Sequence, residues 1–158
     1  MASHCATIYW KHTGDDFLKR QYSREHSWSF DGGLSVRASA SPHVVPPPWS
    51  NPAAIDPEEA FVASVSSCHM LWFLHVACDA ALVVESYEDQ ALGMMTPNAG
   101  GVPWISRITL RPQVTWGGDR PPTRTEEEHL HHLAHEQCFI AASIKTEVIV
   151  ETPPRKDR

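Results

Sequence analysis

The sequence lacks the short motifs that position a nucleophile or a nucleotide. It contains no G-x-S-x-G nucleophile elbow, no G-x-G-x-x-G fingerprint and no P-loop. A serine hydrolase and a nucleotide-binding fold are therefore not predicted. No internal repeat is visible either, so a repeat architecture is not expected.

Cations and cysteines are also scarce. Thirteen Lys and Arg stand against nineteen Asp and Glu, for a net charge of −6, so a basic face for nucleic-acid phosphates is not predicted. The four cysteines show no C-x-x-C spacing, which argues against a structural zinc site. Residues 1–5 show no basic segment followed by an apolar one, so we expect no secretory signal. We expect a cytoplasmic protein, and structural disulfides are rare in that compartment.

What is present is the composition of one globular domain over residues 1–158. The chain is 42% hydrophobic and 20% charged, and its length is sufficient for a buried core. Strands followed by a helix, strands, a helix and a strand predict an α+β fold. The predicted segments are N-terminal strands with a proline-rich loop (1–55), a central helix (56–83), strands (84–116, read as 83–95 and 104–116), a second helix (123–138) and a last strand (144–152).

Within the N-terminal segment, two stretches rich in aromatic and β-branched residues read as strands, at 6–10 and 22–30. Asp31-Gly32-Gly33 is a turn signal and 34–40 reads as the next strand, so a hairpin is expected. The six prolines of residues 42–57 predict a long, stiffened loop.

The central helix has a strong start signal. Asp56 is a preferred N-cap, and Glu59 three residues later suits a capping box. Between Ala60 and Val84 only Asp79 is formally charged, so the helix is apolar all round and either buried or membrane-spanning. Its serines and histidines, and the absence of cationic anchors, favour a buried helix wrapped by sheet and open to sharing with a second subunit, with no membrane.

The second helix, for which Thr125 is the expected N-cap, is rich in histidine. His129, His132 and His135 follow i, i+3, i+6 spacing, and His131 with His135 is an i, i+4 pair. Such pairs can bind zinc on one helix face. No Glu lies between them in the H-E-x-x-H manner, so a solvated helix face is favoured over a metal site.

Two widely separated cysteines, Cys68 and Cys138, each lie late in a predicted helical segment. A cysteine reacts as the thiolate and needs a cation or another neighbour that lowers its pKa. Cys68 lies about three turns inside its helix, where the helix dipole has faded, so either a nearby Arg activates it or it is an inert core thiol. The adjacent His69 points about 100° away and is not expected to activate it. Cys78 fits the core, and Cys5 has no visible partner.

Two stretches carry a resemblance to the OsmC/Ohr superfamily of osmotically inducible and organic hydroperoxide resistance proteins, in its OsmC-like branch. They are residues 56–68 and 134–141. The family pattern is a Pro-Glu at the start of a long helix with a cysteine ten residues after that Glu, and a second cysteine after Ala-His-x-x. Both are met here, with Glu58 ten residues before Cys68, and with Cys138. The resemblance implies antiparallel sheets around two central helices in an intertwined homodimer.

The resemblance also implies an activity: thiol-dependent reduction of organic hydroperoxides to alcohols. In that role Cys68 attacks the peroxide and Cys138 resolves the product, while Arg24, held by Glu58, stabilises the Cys68 thiolate. The spacing of Arg24 from the Ser-Pro at residues 41–42 resembles the hydroperoxide-resistance branch. Arg37 is the second candidate and Arg20 the third.

No metal or organic cofactor is implied, and the expected reductant is an external dithiol, such as a dihydrolipoyl-type group. Apolar side chains at Phe61, Trp72 and Trp49 suit an alkyl or lipid hydroperoxide. Cys138 is followed by Phe139 where the hydroperoxide-resistance branch has Pro, which leaves the substrate open. The alternative is a non-catalytic member of the fold that binds an apolar ligand in the dimer groove.

Overall fold

The computed structural model describes residues 2–14 and 16–152. The chain divides into two compact units, residues 1–60 and 61–158. The strands are β1 (Ala6–Tyr9), β2 (His26–Phe30), β3 (Ser35–Ala38), β4 (Val83–Asp89), β5 (Leu92–Pro97), β6 (Pro103–Leu110), β7 (Pro112–Gly117) and β8 (Glu147–Val150). The helices are α1 (Pro57–Asp79), α2 (Arg124–Gln137) and α3 (Phe139–Ala142), with a 3₁₀ turn at Phe17–Lys19.

The first unit contains an antiparallel sheet in the order β1-β2-β3. The predicted hairpin is confirmed: Gly33 donates to the Phe30 carbonyl at 3.0 Å and takes a φ of +85°, which glycine adopts without strain. Strand β2 begins at His26 and not at residue 22. The cause is local, because the Arg24 N–H donates to the Trp49 carbonyl at 2.9 Å instead of to a neighbouring strand.

Both long helices begin at a capping box. At α1 the Glu59 N–H donates to Asp56 Oδ1 at 2.7 Å and the Asp56 N–H donates to Glu59 Oε2 at 3.2 Å, as predicted. At α2 the cap is Thr123, not Thr125, because Glu126 three residues later returns its carboxylate to the Thr123 N–H at 2.7 Å. That hydrogen bond lowers the pKa of Glu126.

Helix α1 ends at Asp79, four residues before the predicted end at 83. Ala81 takes a φ of +56°, and the Leu82 N–H donates to the Ala77 carbonyl at 2.9 Å. These features form a Schellman-type C-cap with alanine where glycine is usual. The sequence has no glycine at this end of the helix, so the apolar pattern of residues 60–84 predicted a helix that is too long.

The second unit contains two sheets, β4-β7 and β5-β6-β8. The sequence predicted two strands over 83–116, and the structure has four, because the chain changes sheet after Asp89. The Asp89 carboxylate accepts the Arg111 N–H at 2.6 Å at this change. All pairs are antiparallel except β6 with β8. A parallel pair needs a long crossover, and α2 and α3 lie within it.

Helix α1 contributes to both apolar clusters of this unit. The larger cluster contains Phe73, Ala77, Leu82, Trp116, Leu130 and Ala134. The smaller contains Val65, Ile108 and Leu110. The burial of Val65 and Phe73 on either side of Cys68 fixes the middle of α1. The mixed architecture agrees with the predicted α+β class.

Helix α1 is also the one helix of residues 2–14 and 16–152 that is long and apolar enough to cross a membrane by length and composition. Its buried residues are Val65, Cys68, His69, Phe73 and Ala77. The remaining surface includes Leu71, which is 61% exposed. A central helix shared with a second subunit stays a prediction.

Candidate active site

Helices α1 and α2 bring Cys68 and Cys138 together. Both are free thiols, 6% and 1% exposed, and they lie close enough for Cys68 to shift the pKa of Cys138. Cys138 is at the same time the C-cap of α2 and the N-cap of α3, with an extended backbone at φ −71° and ψ 97°. Its sulfur accepts the Ala141 N–H at 3.4 Å. The break between the helices therefore fixes the direction of this thiol.

Burial and then the interaction with the Cys68 side chain raise the pKa of Cys138 to about 11. Cys138 therefore keeps its proton at neutral pH. Because the thiolate is the nucleophile of cysteine chemistry, this arrangement favours Cys68 as the attacking sulfur and Cys138 as its neighbour.

An apolar groove of about 550 Å³ opens beside Cys68. Trp72 lines it, as expected, and meets the Phe139 ring edge-on at 6.4 Å between centroids. Phe61 does not line it, because its side chain packs with the smaller core cluster. The lining residues are Ser64, Ser67, Cys68, Leu71, Trp72, His75, Phe139 and Ile140. The thiol is thus open to an apolar molecule from this side.

The two predicted charged residues, Arg24 and Glu58, lie in the first unit. Arg24 Nη1 donates to the carbonyls of Arg20 at 2.9 Å and Tyr22 at 2.5 Å, and its guanidinium carbon lies 3.7 Å from the Tyr22 ring centroid. Glu58 Oε2 is buried and has no partner within residues 2–14 and 16–152. Within residues 2–14 and 16–152 no ion pair joins Arg24 to Glu58, and Nη1 of Arg24 donates to main-chain carbonyls instead. Activation of Cys68 by Arg24 stays a prediction.

The other two arginine candidates have local roles within the first unit. Arg37 Nη2 pairs with Glu25 Oε1 at 3.1 Å on an exposed surface. Arg20 takes a left-handed φ of 61° and closes the 3₁₀ turn. The contacts within the first unit therefore give no reason to prefer Arg37 or Arg20 to Arg24 as the predicted activating arginine.

A buried imidazole pair lies next to the thiols, and the sequence interpretation missed it. His69 Nε2 and His131 Nδ1 lie 3.1 Å apart, with the rings 1% and 3% exposed. Phe73 stacks on His131 at 4.2 Å between centroids. Burial lowers the pKa of His69 to about 4 and of His131 to about 3, and the nearby imidazoles add to both shifts. Both rings are therefore neutral at physiological pH.

The histidines of α2 divide between two environments. His129 and His132 are exposed, as predicted for a solvated face, and His132 lies 3.4 Å from Glu136. His131 is buried, so the solvated-face interpretation is wrong for it. Within the described part of the chain no three His, Cys, Asp or Glu side chains are grouped to hold a metal ion. A signal for His69 existed, because it shares an i, i+4, i+8 stripe with Phe73 and Ala77.

Comparison with known families matches residues 50–152 to the OsmC-like protein family. The chain belongs to this family. It is 51% identical to an OsmC-like protein of unknown function from Vibrio cholerae, whose structure covers 97% of this chain and 100% of its own, with a TM-score of 0.94. Family membership confirms the resemblance read from the two cysteine motifs.

More distant members share the fold of this OsmC-like protein. An organic hydroperoxide resistance protein OsmC from Legionella pneumophila is 18% identical, with 96% of each chain covered and a TM-score of 0.69. The organic hydroperoxide resistance protein OhrB of Bacillus subtilis is 18% identical, with 96% of this chain and 98% of its own covered and a TM-score of 0.67. The comparison with curated proteins finds no match.

Proposed function

We propose that this OsmC-like protein is a thiol-dependent peroxidase that reduces organic hydroperoxides to alcohols through Cys68 and Cys138. The observation that carries the proposal is the pair of free, neighbouring thiols beside an apolar groove. Two cysteines whose side chains approach each other can be joined as a disulfide and separated again by thiol exchange. The groove supplies a place for the organic part of a hydroperoxide.

The cycle balances in three steps. The Cys68 sulfur attacks one oxygen of the O–O bond, so Cys68–SH and R–OOH give Cys68–SOH and R–OH. Cys138–SH then condenses with the sulfenic acid to give the Cys68–Cys138 disulfide and water. An external dithiol exchanges with that disulfide, returning both thiols and leaving as its own disulfide. No metal or organic cofactor takes part.

The surroundings of the thiols support a substrate class and a partner. The walls formed by Leu71, Trp72 and Phe139 suit an alkyl or lipid chain better than hydrogen peroxide. Leu71 and Phe139 are 61% and 63% exposed, and a second copy of the chain would cover such apolar surface in a homodimer. The names of the Legionella and Bacillus relatives support a role in hydroperoxide resistance.

The direct test is turnover of cumene hydroperoxide with a dithiol by two serine variants of α1. Cys68→Ser is expected to lose turnover at least a thousandfold. Cys78→Ser, which changes an exposed thiol on the same helix, is expected to keep it. A Cys68→Ser protein that reduces the hydroperoxide at the wild-type rate would refute the proposal.

The second candidate function is binding of an apolar ligand without catalysis, and the size of the groove favours it. The two functions differ in the behaviour of Cys68. The two functions are distinguished by the rate of Cys68 alkylation as a function of pH, with the alkylated cysteine identified by mass spectrometry. A thiolate already present well below the reference pKa of about 8.5 supports the peroxidase, and an ordinary titration supports the binding protein.

A further inference from the structure

We propose that the buried His69–His131 pair is a positioning device for the redox pair, which fixes how α2 lies on α1 and so holds Cys138 against Cys68 for disulfide formation. The inference rests on the proposed peroxidase cycle and concerns its resolving step. Neither imidazole lines the groove beside Cys68, so neither is placed to touch a substrate there.

The two helices touch through polar side chains at two separate points. Cys68 and His69 are consecutive on α1, so their side chains diverge by about 100°. Their partners Cys138 and His131 are seven residues apart, which is about 10.5 Å along an α-helix. One contact would let α2 pivot on α1, whereas two contacts that far apart fix its direction. The position of Cys138 is thus tied to that of His131.

The ring of His131 is held from two sides by α1. Its Nδ1 shares a hydrogen bond of 3.1 Å with His69 Nε2, and Phe73 stacks on it at an interplanar angle of 21°. Because His69 and Phe73 are one turn apart, they seat the ring at one level of α1. A slip of one turn is about 5.4 Å, whereas a disulfide needs Cβ atoms about 3.5–4.5 Å apart.

The pair lowers stability in a way that a purely apolar contact would not. His69 Nδ1 and His131 Nε2 are buried and lack a hydrogen-bond partner within residues 2–14 and 16–152. Whichever ring donates to the other, both outer nitrogens stay unpaired. Unpaired buried polar atoms are unfavourable, and two apolar side chains would avoid them. The imidazoles form a directional hydrogen bond, which apolar side chains cannot do, and this bond specifies the register of α2 on α1.

The test compares His69→Gln with His69→Met in the full chain, both in a Cys5→Ser, Cys78→Ser background. Gln can donate to His131 Nδ1, whereas Met fills similar volume without a donor. Diamide is the oxidant: it removes two electrons and two protons from the thiols and becomes a hydrazine. The readout is the rate of Cys68–Cys138 disulfide closure, mapped by mass spectrometry, with the denaturation midpoint recorded alongside.

We expect His69→Met to close the disulfide at least tenfold more slowly and His69→Gln to stay within about threefold of the wild-type rate. His132→Met, on the exposed face of α2, is expected to change nothing. The proposal is overturned if His69→Met closes at the wild-type rate, or if Gln and Met slow closure equally. Loss of stability alone would lower the denaturation midpoint of a folded variant without separating Gln from Met in closure rate.

Two further outcomes keep the tests apart. Wild-type protein that closes the disulfide with diamide but consumes no hydroperoxide refutes the peroxidase, and the Gln and Met rates still decide the positioning role. If His69→Met does not fold, ¹⁵N spectra of the wild-type imidazoles decide. A scalar coupling between His69 Nε2 and His131 Nδ1 across the hydrogen bond supports the proposal, and its absence overturns it.

Discussion

The thiol pair and the imidazole pair are two polar couples between the same two helices, and they differ in access. Cys68 lies at the wall of an apolar groove of about 550 Å³, whereas the rings of His69 and His131 are almost completely buried and do not line that groove. Neighbouring positions on α1 thus meet opposite surroundings. The comparison shows that the face of the helix, set by a step of about 100°, separates a group placed for chemistry from a group placed for position.

The largest effect is expected from removing Cys138, the second cysteine of the thiol pair. Cys138→Ser leaves Cys68 able to attack but removes the sulfur that resolves the sulfenic acid. We expect one equivalent of alcohol in a burst, followed by turnover at least a hundredfold below wild type. Dimedone labelling of Cys68 measures the sulfenic acid that accumulates. Steady turnover at the wild-type rate would show that Cys138 has no part in the cycle.

The imidazole pair makes the stability of the protein sensitive to acid. Its pKa values, about 4 for His69 and about 3 for His131, lie below the unfolded value of about 6.5. The unfolded chain therefore binds protons first as pH falls. The unfolding free energy is therefore insensitive to these two groups above pH 6.5 and falls progressively from there towards pH 3. The expected slope is about 1.4 kcal/mol per pH unit for each imidazole, measured by urea unfolding.

Other titratable groups surround this pair and shape the same experiment. On α2 these are Glu127 and His135, on α1 Cys68, and on β4 Tyr87, whose ring centroid lies 6.5 Å from that of His131. Burial raises the pKa of Tyr87, so it stays neutral through the acid range. A double variant His69→Gln, His131→Gln should flatten the slope, while His129→Gln with His132→Gln should keep it. Equal slopes in both doubles would contradict the assignment.

A smaller effect is expected at the groove wall. Phe139→Ala removes the ring that meets Trp72, and we expect KM for cumene hydroperoxide to rise by about tenfold, which corresponds to about 1.4 kcal/mol. Phe139→Leu retains an apolar wall and serves as the matched control. Both are compared at equal oligomeric state by sedimentation. An unchanged KM in Phe139→Ala would place the substrate elsewhere.

The smallest effect concerns the helices that carry both pairs. Thr123→Ala and Asp56→Ala each remove the capping side chain of a long helix, and each is expected to cost about 1 kcal/mol of unfolding free energy. Thr125→Ala is the control, because Thr125 is not the cap. Urea unfolding that ranks Thr125→Ala as the more costly change would contradict the assigned start of α2.

Much of the fold follows from local signals that survive packing. The capping box at Asp56 and the turn at Gly33 depend on neighbouring residues, so the sequence predicts them correctly. The end of α1 does not follow, because Ala81 adopts a left-handed conformation that only the tertiary contacts of Leu82 and Ala77 make acceptable. The change of sheet after Asp89 is not predicted either, because the Asp89 carboxylate accepts the N–H of Arg111, which is distant in sequence.

For the site, the two family motifs predict from the sequence alone that Cys68 and Cys138 act together. What spacing does not provide is the partner of His69, since His131 is 62 residues away. The histidine content of α2 pointed outwards, to solvent or zinc, and only packing shows that one histidine turns inwards. Arg24 and Glu58 carry over from the family pattern alone.

The most direct test of the account is the product formed when reduced wild-type protein meets one equivalent of cumene hydroperoxide. Free thiols are counted and peptides are mapped by mass spectrometry. The account predicts one equivalent of cumyl alcohol, loss of two thiols per chain and a single disulfide between Cys68 and Cys138. Hydroperoxide that remains unreduced, or a disulfide that excludes either of these cysteines, would contradict it.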